Sequence, residues 1–299
     1  MGIDSQVARF LAEAHQRGCS FQETLTLGRQ FLLADRRALQ RLARQLGARL
    51  TPELTRARFA EPLFRELLGA RRVESLDAAP YEGATIVHDL NTPLPHHLHC
   101  QFDAVVDGGT LEHIFNLPVA LANAMHAVKV GGRLFCVSVA NNFLGHGFYQ
   151  LSPELFYRAL TPVYGFRIER MVLVEFSGPS IERASAGHWY EVADPQQVGG
   201  RVTLVNRRPA LLMVQAEKCA DVGPLFKPFP QQSDYTAAWR PGAQPPSGPA
   251  LGHALARLPL VGPLVVALYD AYRLRATHSL TNRRFYRPVG EDGGAMGQH

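Results

Sequence analysis

Two hydrophobic periods alternate along the chain from about residue 21 to 176. Apolar runs short enough for buried strands stand at 23–27, 72–77, 84–91, 102–107 and 133–138. Between them, apolar residues recur at three- and four-residue intervals, the period of a helix with one buried face. Leu39, Leu42, Ala43 and Leu46 mark such a face over 36–45, and Leu63, Phe64, Leu67 and Leu68 mark another over 61–68, with arginines between them. Ser152 can cap a helix that has Pro153 at its first position and runs to about Leu160. Further on, 166–176 and 210–218 read as strands, 201–206 as a partner of the latter across the Arg207-Arg208-Pro209 turn, and 177–200 as a polar loop.

Strands alternating with helices predict an α/β domain on a mostly parallel sheet, whose ligands bind beyond the carboxyl ends of the strands. At that edge the run 102–107 delivers Asp107, two glycines and then Glu112-His113. With 299 residues, 46% of them hydrophobic, the chain can bury a sizeable core. Its organisation reads as an α/β domain over 1–220, a Pro/Gly-rich linker over 221–249, and a helical appendage and tail over 250–299.

The stretch Phe102-Asp103-Ala104-Val105-Val106-Asp107 with Leu111-Glu112-His113, followed by Lys129-Val130-Gly131-Gly132-Arg133-Leu134, resembles the fourth and fifth strands of class I S-adenosylmethionine-dependent methyltransferases. The likeness extends over about 21–218. It implies a Rossmann-like methyltransferase fold with a mostly parallel seven-stranded sheet and an antiparallel seventh strand at 210–218. To this the chain adds an N-terminal helical elaboration and a C-terminal helical appendage. The resemblance implies S-adenosyl-L-methionine as cofactor: Asp77 on its ribose hydroxyls, Asp89 and Leu90 at its adenine, and Gly28, Asp107 and Gly108 at its amino-acid end. A carboxylate suits a vicinal diol because it accepts two hydrogen bonds. The plainer use of either aspartate is to cap the segment that follows.

The first loop departs from the family. A G-x-G-x-G turn is replaced by Gly28-Arg29-Gln30, with a single glycine, and 49 positions separate Gly28 from Asp77 where about 30 suffice for a strand, turn, helix and strand. The resemblance implies methyl transfer to an oxygen or nitrogen of a small biosynthetic metabolite or sugar. The departure keeps two alternatives open: a non-catalytic binding or scaffold protein, and an enzyme using the fold for other chemistry.

The loop after the fifth strand, Asn141 to Leu151, lies at the functional edge. Asn141, Asn142, Phe148, Tyr149 and Glu112 are the expected acceptor contacts, and His146 or His113 the expected proton acceptor. The competing use of this loop is structural, with Phe148 and Tyr149 covering the sheet edge. Some relatives carry metal ligands as E-x-x-E-H; Gly109 stands where the first glutamate would be, so no metal is expected, and one would require His146 to complete its shell. His96, His97, His99 and Cys100 lack a second ligand pair at zinc spacing and read as solvated side chains. Trp189 and Tyr190 cover the acceptor pocket or anchor their loop.

The net charge of +5 falls on helix faces and the tail, without a nucleic-acid motif, so the expected partner is a small-molecule acceptor. Four scattered cysteines without C-x-x-C spacing suit reduced thiols in a cytoplasm, and no secretion signal is read at the amino end. The apolar stretch 258–269 is shorter than the ~20 residues of a membrane span. Within 251–287 it offers a peripheral membrane or protein contact, with burial on the core or in a homo-oligomer as the commoner use.

Overall fold

The computed structural model describes residues 2–178, 186–239 and 262–290. It opens with β1 (Gly2–Ile3), α1 (Ser5–Gln16), β2 (Glu23–Leu27) and β3 (Phe31–Leu32). The helices α2 (Arg36–Gln45), α3 (Pro52–Arg56) and α4 (Glu61–Leu67) intervene before β4 (Arg72–Asp77) and β5 (Ile86–Val87). Then come β6 (Phe102–Gly108), α5 (Leu117–Ala127), β7 (Val128–Asn141), α6 (Pro153–Ala159), β8 (Phe166–Phe176) and β9 (Gly187–Val192). The chain continues through α7 (Pro195–Val198), β10 (Ala210–Lys218), α8 (Ser233–Ala238), α9 (Gly262–Ala276) and β11 (Tyr286–Pro288).

The main sheet has nine strands in the order β11-β9-β8-β10-β7-β6-β2-β4-β5, not the expected seven. The five strands from β5 to β7 are mutually parallel, and β10 runs antiparallel between β7 and β8. This is a doubly wound Rossmann-like sheet in which the order reverses between β2 and β6, so a crevice opens at the carboxyl ends of those two strands. The two extra strands come from segments assigned to loop and tail. β9 pairs with β8 inside 177–200, and β11 from the tail pairs with β9. The expected strand at 201–206 does not form, because both edges of β10 are taken by β7 and β8. The third strand is also cut short: Asp89 Oδ1 accepts from Asn91 N at 2.9 Å, turning the chain just after Val87.

The helical insertion falls where the spacing predicts it. The amino-terminal helix α1 was not anticipated, although Val7, Phe10, Leu11 and Ala14 give it a single buried face. Asp4 caps it, accepting from Gln6 N and Val7 N, both at 2.8 Å. Phe10 packs edge-on to Phe135 of β7 and to Trp189 of β9. Trp189 is buried and donates Nε1–H to Gln6 Oε1 at 2.6 Å, so it anchors its strand. Apolar residues fill both faces of the sheet in two clusters, as expected of a layered α/β domain.

Residues 221–239, at the start of the linker-like segment, pack on the domain: Phe226 is buried, and Ser233 N donates to Glu154 Oε1 at 2.6 Å. Residues 240–261 lie outside the described residues. In α9, Leu264, Leu268 and Tyr272 are each more than 60% exposed, so this helix is not absorbed into the core. Among the described residues no helix is long and apolar enough to cross a membrane.

Candidate functional site

β2 and β6 pair in parallel, with Leu27 opposite Asp107, and this register brings Gly28 and Gly108 to the same edge. Gly28 has φ +69°, and a Cβ there would lie 2.9 Å from Thr110 Oγ1 and 3.8 Å from Asp77 Oδ2. Gly28, Asp77, Asp107 and Gly108, named from sequence, therefore converge. Two residues that sequence reasoning did not place in the site stand between them. Thr110 Oγ1 donates to Leu27 O at 2.7 Å, and the buried side chain of Gln30 donates Nε2–H to the same carbonyl and reaches the open side of Gly108. A Cβ at Gly108 would collide with Gln30 Oε1, which has no hydrogen-bond partner among the described residues. The signal for Gln30 was its position, since a glutamine in place of a small loop residue brings a side chain into the crevice.

Asp77 is half-buried, and among the described residues its carboxylate accepts one hydrogen bond, from Ala79 N at 3.4 Å. Most of its acceptor capacity remains. Asp89 is exposed, with Oδ1 occupied by Asn91 N and Nδ2; those bonds hold its carboxyl below the usual range. The side chain of Leu90 is buried in the core, while its carbonyl accepts from Asn123 Nδ2 at 3.2 Å.

Asp107 has a structural duty. Its Oδ1 accepts from Thr110 N at 2.7 Å and Leu111 N at 3.3 Å, capping the single 3₁₀ turn Leu111–His113. That turn delivers Glu112 to a fully buried position where neither carboxyl oxygen has a hydrogen-bond partner among the described residues, and the same holds for Asp107 Oδ2. Burial pushes the Asp107 carboxyl up to about 7, and burial together with the charge of Asp107 pushes Glu112 up to about 8. Both readily hold a proton near neutrality.

The loop after β7 folds back onto this turn. Phe148 N and Tyr149 N donate to Glu112 O at 2.9 and 3.2 Å. Gly147 makes this approach feasible, because a Cβ there would lie 2.8 Å from Glu112 O and 3.0 Å from His113 Nδ1; Gly145 has open space and no such role. His146 Nε2 consequently lies 4.0 Å from Glu112 Oε1, and its ring centroid lies 5.0 Å from that of His113. Burial lowers both imidazole pKa values, and at His113 the neighbouring His146 lowers it further, which favours the neutral form of both rings.

The remaining loop residues divide. Tyr149 Oη donates to Phe115 O at 2.7 Å and so braces the loop, while Phe148 is exposed and edge-on to the exposed Phe115 ring, centroids 5.6 Å apart. Asn141 and Asn142 donate from Nδ2 to Asn206 Oδ1 at 2.7 and 2.8 Å, bonds that pin the end of β7 to the turn before β10.

One ligand atom from each of Glu112, His113 and His146 lies within 4.8 Å of the others, the only such group of three among the described residues. Two imidazoles and a carboxyl group that gives up its proton on binding are the donor types a divalent metal takes. The histidines near Cys100 form a stack instead: the rings of His99 and His126 lie 4.6 Å apart at 7°.

No protein-family model and no curated protein matches the chain. Among solved structures it is similar to a branched-chain polyamine synthase from Thermus thermophilus, with 17% identity over 73% of this chain and a TM-score of 0.38. The chain spans 57% of that protein's length. It is similar to a SAM-dependent methyltransferase from Thermotoga maritima, with 18% identity, 71% of this chain and 91% of the other covered, and a TM-score of 0.39. A third is the 16S rRNA (adenine(1408)-N(1))-methyltransferase from Catenulisporales acidiphilia, with 14% identity, 71% and 92% covered, and a TM-score of 0.35. Likenesses at this level carry no argument about what this chain does; the Rossmann-like assignment rests on strand order and register.

Proposed function

We propose that the protein is an S-adenosylmethionine-dependent methyltransferase acting on an oxygen or nitrogen of a small metabolite. The observation that supports this reading is the meeting, at one sheet edge, of the half-buried Asp77 carboxylate, a glycine crevice with buried acceptors, and the His113–His146 pair. The chemistry of the cofactor fits these residues. Asp77 has the capacity to hold a ribose diol, and Gln30 Oε1 and Asp107 Oδ2 are buried acceptors that complement an ammonium group. When bound, S-adenosylmethionine supplies an electrophilic methyl group.

The chain's own work is then binding, orientation and proton removal. His146 takes the proton from the acceptor hydroxyl or amine as the methyl group is transferred, and the Glu112 carboxyl lies 4.0 Å from the ring nitrogen and keeps its own proton. Phe148 and Phe115, exposed beside the site, provide apolar contact for the acceptor and limit water. Alignment of nucleophile and methyl carbon supplies much of the acceleration.

A second reading rests on the grouping of Glu112, His113 and His146: a divalent metal held there would orient the acceptor oxygen and lower its pKa. Turnover assays with candidate alcohols and amines, run in chelator and with added manganese or zinc, separate the two readings.

A further inference from the structure

The short ladder between β3 and the residues ahead of α4 builds a surface that the proposed reaction leaves unused. Leu32 N donates to Arg58 O at 3.0 Å and Ala60 N to Gln30 O at 2.9 Å. Phe31 and Phe59 thereby form an antiparallel bridge, with their rings stacked at 5.0 Å. Guanidinium groups cover this pair. Arg29 sits 4.0 Å from the centroid of Phe59, and Arg58 sits 5.2 Å from Phe59 and 5.4 Å from Phe31. An arginine backed by an aromatic face keeps its planar fork oriented and loses less freedom when it binds.

An open cavity of about 490 Å³ lies against this wall, within the size range of small-molecule sites. Four arginines line it, Arg29, Arg56, Arg58 and Arg65, against two glutamates, Glu53 and Glu61. Arg29 is fixed by Glu61 Oε1 at 2.7 Å and by the carbonyl of Glu82 at 2.6 Å. Among the described residues Arg56, Arg58 and Arg65 have no carboxylate within ion-pair distance, so their charge is available to a ligand. Gly83 closes the far side; a Cβ there would lie 2.8 Å from the Arg29 guanidinium.

We propose that this cavity binds the oxyanion group of a small organic ligand, a phosphate ester being the class it suits. Guanidinium forks engage oxyanions through paired, charge-assisted hydrogen bonds, and three uncommitted forks around one cavity match a multiply charged group better than a single carboxylate. Phe59, which lines the cavity, adds apolar contact for the organic part. The site stands independently of the methyl-transfer reading.

Inorganic pyrophosphate titrated into the full chain at constant ionic strength tests it by calorimetry. Saturable binding at one site per chain is expected, weakened at least tenfold by Arg56→Ala/Arg65→Ala and by Arg58→Lys, which retains charge but loses the fork. Arg273→Ala/Arg275→Ala, which removes two arginines from α9, should leave it unchanged. Circular dichroism of each variant establishes that the fold is retained. Absence of saturable heat at millimolar pyrophosphate, an equal loss in both double variants, or binding of heparin without binding of pyrophosphate would overturn the proposal.

Discussion

His146 Nε2 lies 4.0 Å from Glu112 Oε1, across the gap between the loop after β7 and the turn after β6. The contact joins segments more than thirty residues apart in sequence, and it depends on Gly147, whose lack of a side chain lets the loop reach the carbonyl of Glu112. An acid-base pair is the simplest chemical use of this arrangement.

If His146 is the base, His146→Ala or His146→Gln should lower turnover by ~100-fold or more while cofactor affinity stays near wild type. The fall in rate on the acidic side of the pH profile reports protonation of the imidazole and should disappear in both variants. A purely structural loop would give a lower melting temperature and an intact pH profile.

Glu112 also predicts a pH-dependent stability. Its carboxyl is raised from 4.5 to about 8, so the folded state binds this proton more tightly than the unfolded chain does. Stability from this group is full below 4.5 and declines as pH rises toward 8, with Asp107 adding to the decline up to about 7. Glu112→Gln cannot ionise. In the presence of chelator, its melting temperature relative to wild type should rise by a few degrees between pH 4.5 and 8. A constant difference across that range would remove the buried carboxyl from the account.

If Asp77 holds the ribose hydroxyls, Asp77→Ala should weaken cofactor binding by about 2 to 4 kcal/mol without loss of fold, since two charge-assisted hydrogen bonds would disappear at a half-exposed edge. Asp89→Ala should cost less. One of its carboxyl oxygens is already occupied by Asn91, and discrimination against inosine analogues is the property to measure. Unaltered binding in Asp77→Ala, or unaltered discrimination in Asp89→Ala, removes that residue from the nucleoside site.

Gln30 gives a sharper test of the crevice between β2 and β6. If its unpartnered Oε1 receives the ammonium of the cofactor, Gln30→Ala should weaken binding about tenfold and Gln30→Glu should not. Tighter binding in Gln30→Ala would mean that the side chain obstructs the crevice instead of completing it.

The parallel half of the sheet was legible in sequence because its strands are apolar runs ending in Asp77 and Asp107, separated by helices of clear period. Two of the three helices inserted between β2 and β4, α2 and α4, were legible for the same reason. The strands β9 and β11 were not: each mixes polar and aromatic residues and becomes a strand only by pairing at an edge built by distant residues. Sequence paired Glu112 with His113 and offered His146 as the side chain to complete a metal's shell, and the fold brings one ligand atom of each within 4.8 Å of the others. Gln30 escaped because a polar side chain filling a crevice has no periodic signature. Asn141 and Asn142 sit at the expected edge, yet the turn at Asn206 takes their donors, a pairing that spacing along the chain does not encode.

Calorimetry of the full chain with S-adenosylmethionine and S-adenosylhomocysteine is the most direct measurement of the central claim. The account predicts saturable binding at one site, in the micromolar range, lost or severely weakened in Asp77→Ala and retained in His146→Ala. No heat and no thermal shift with millimolar cofactor would contradict it and leave a Rossmann-like binding protein whose edge residues serve another ligand.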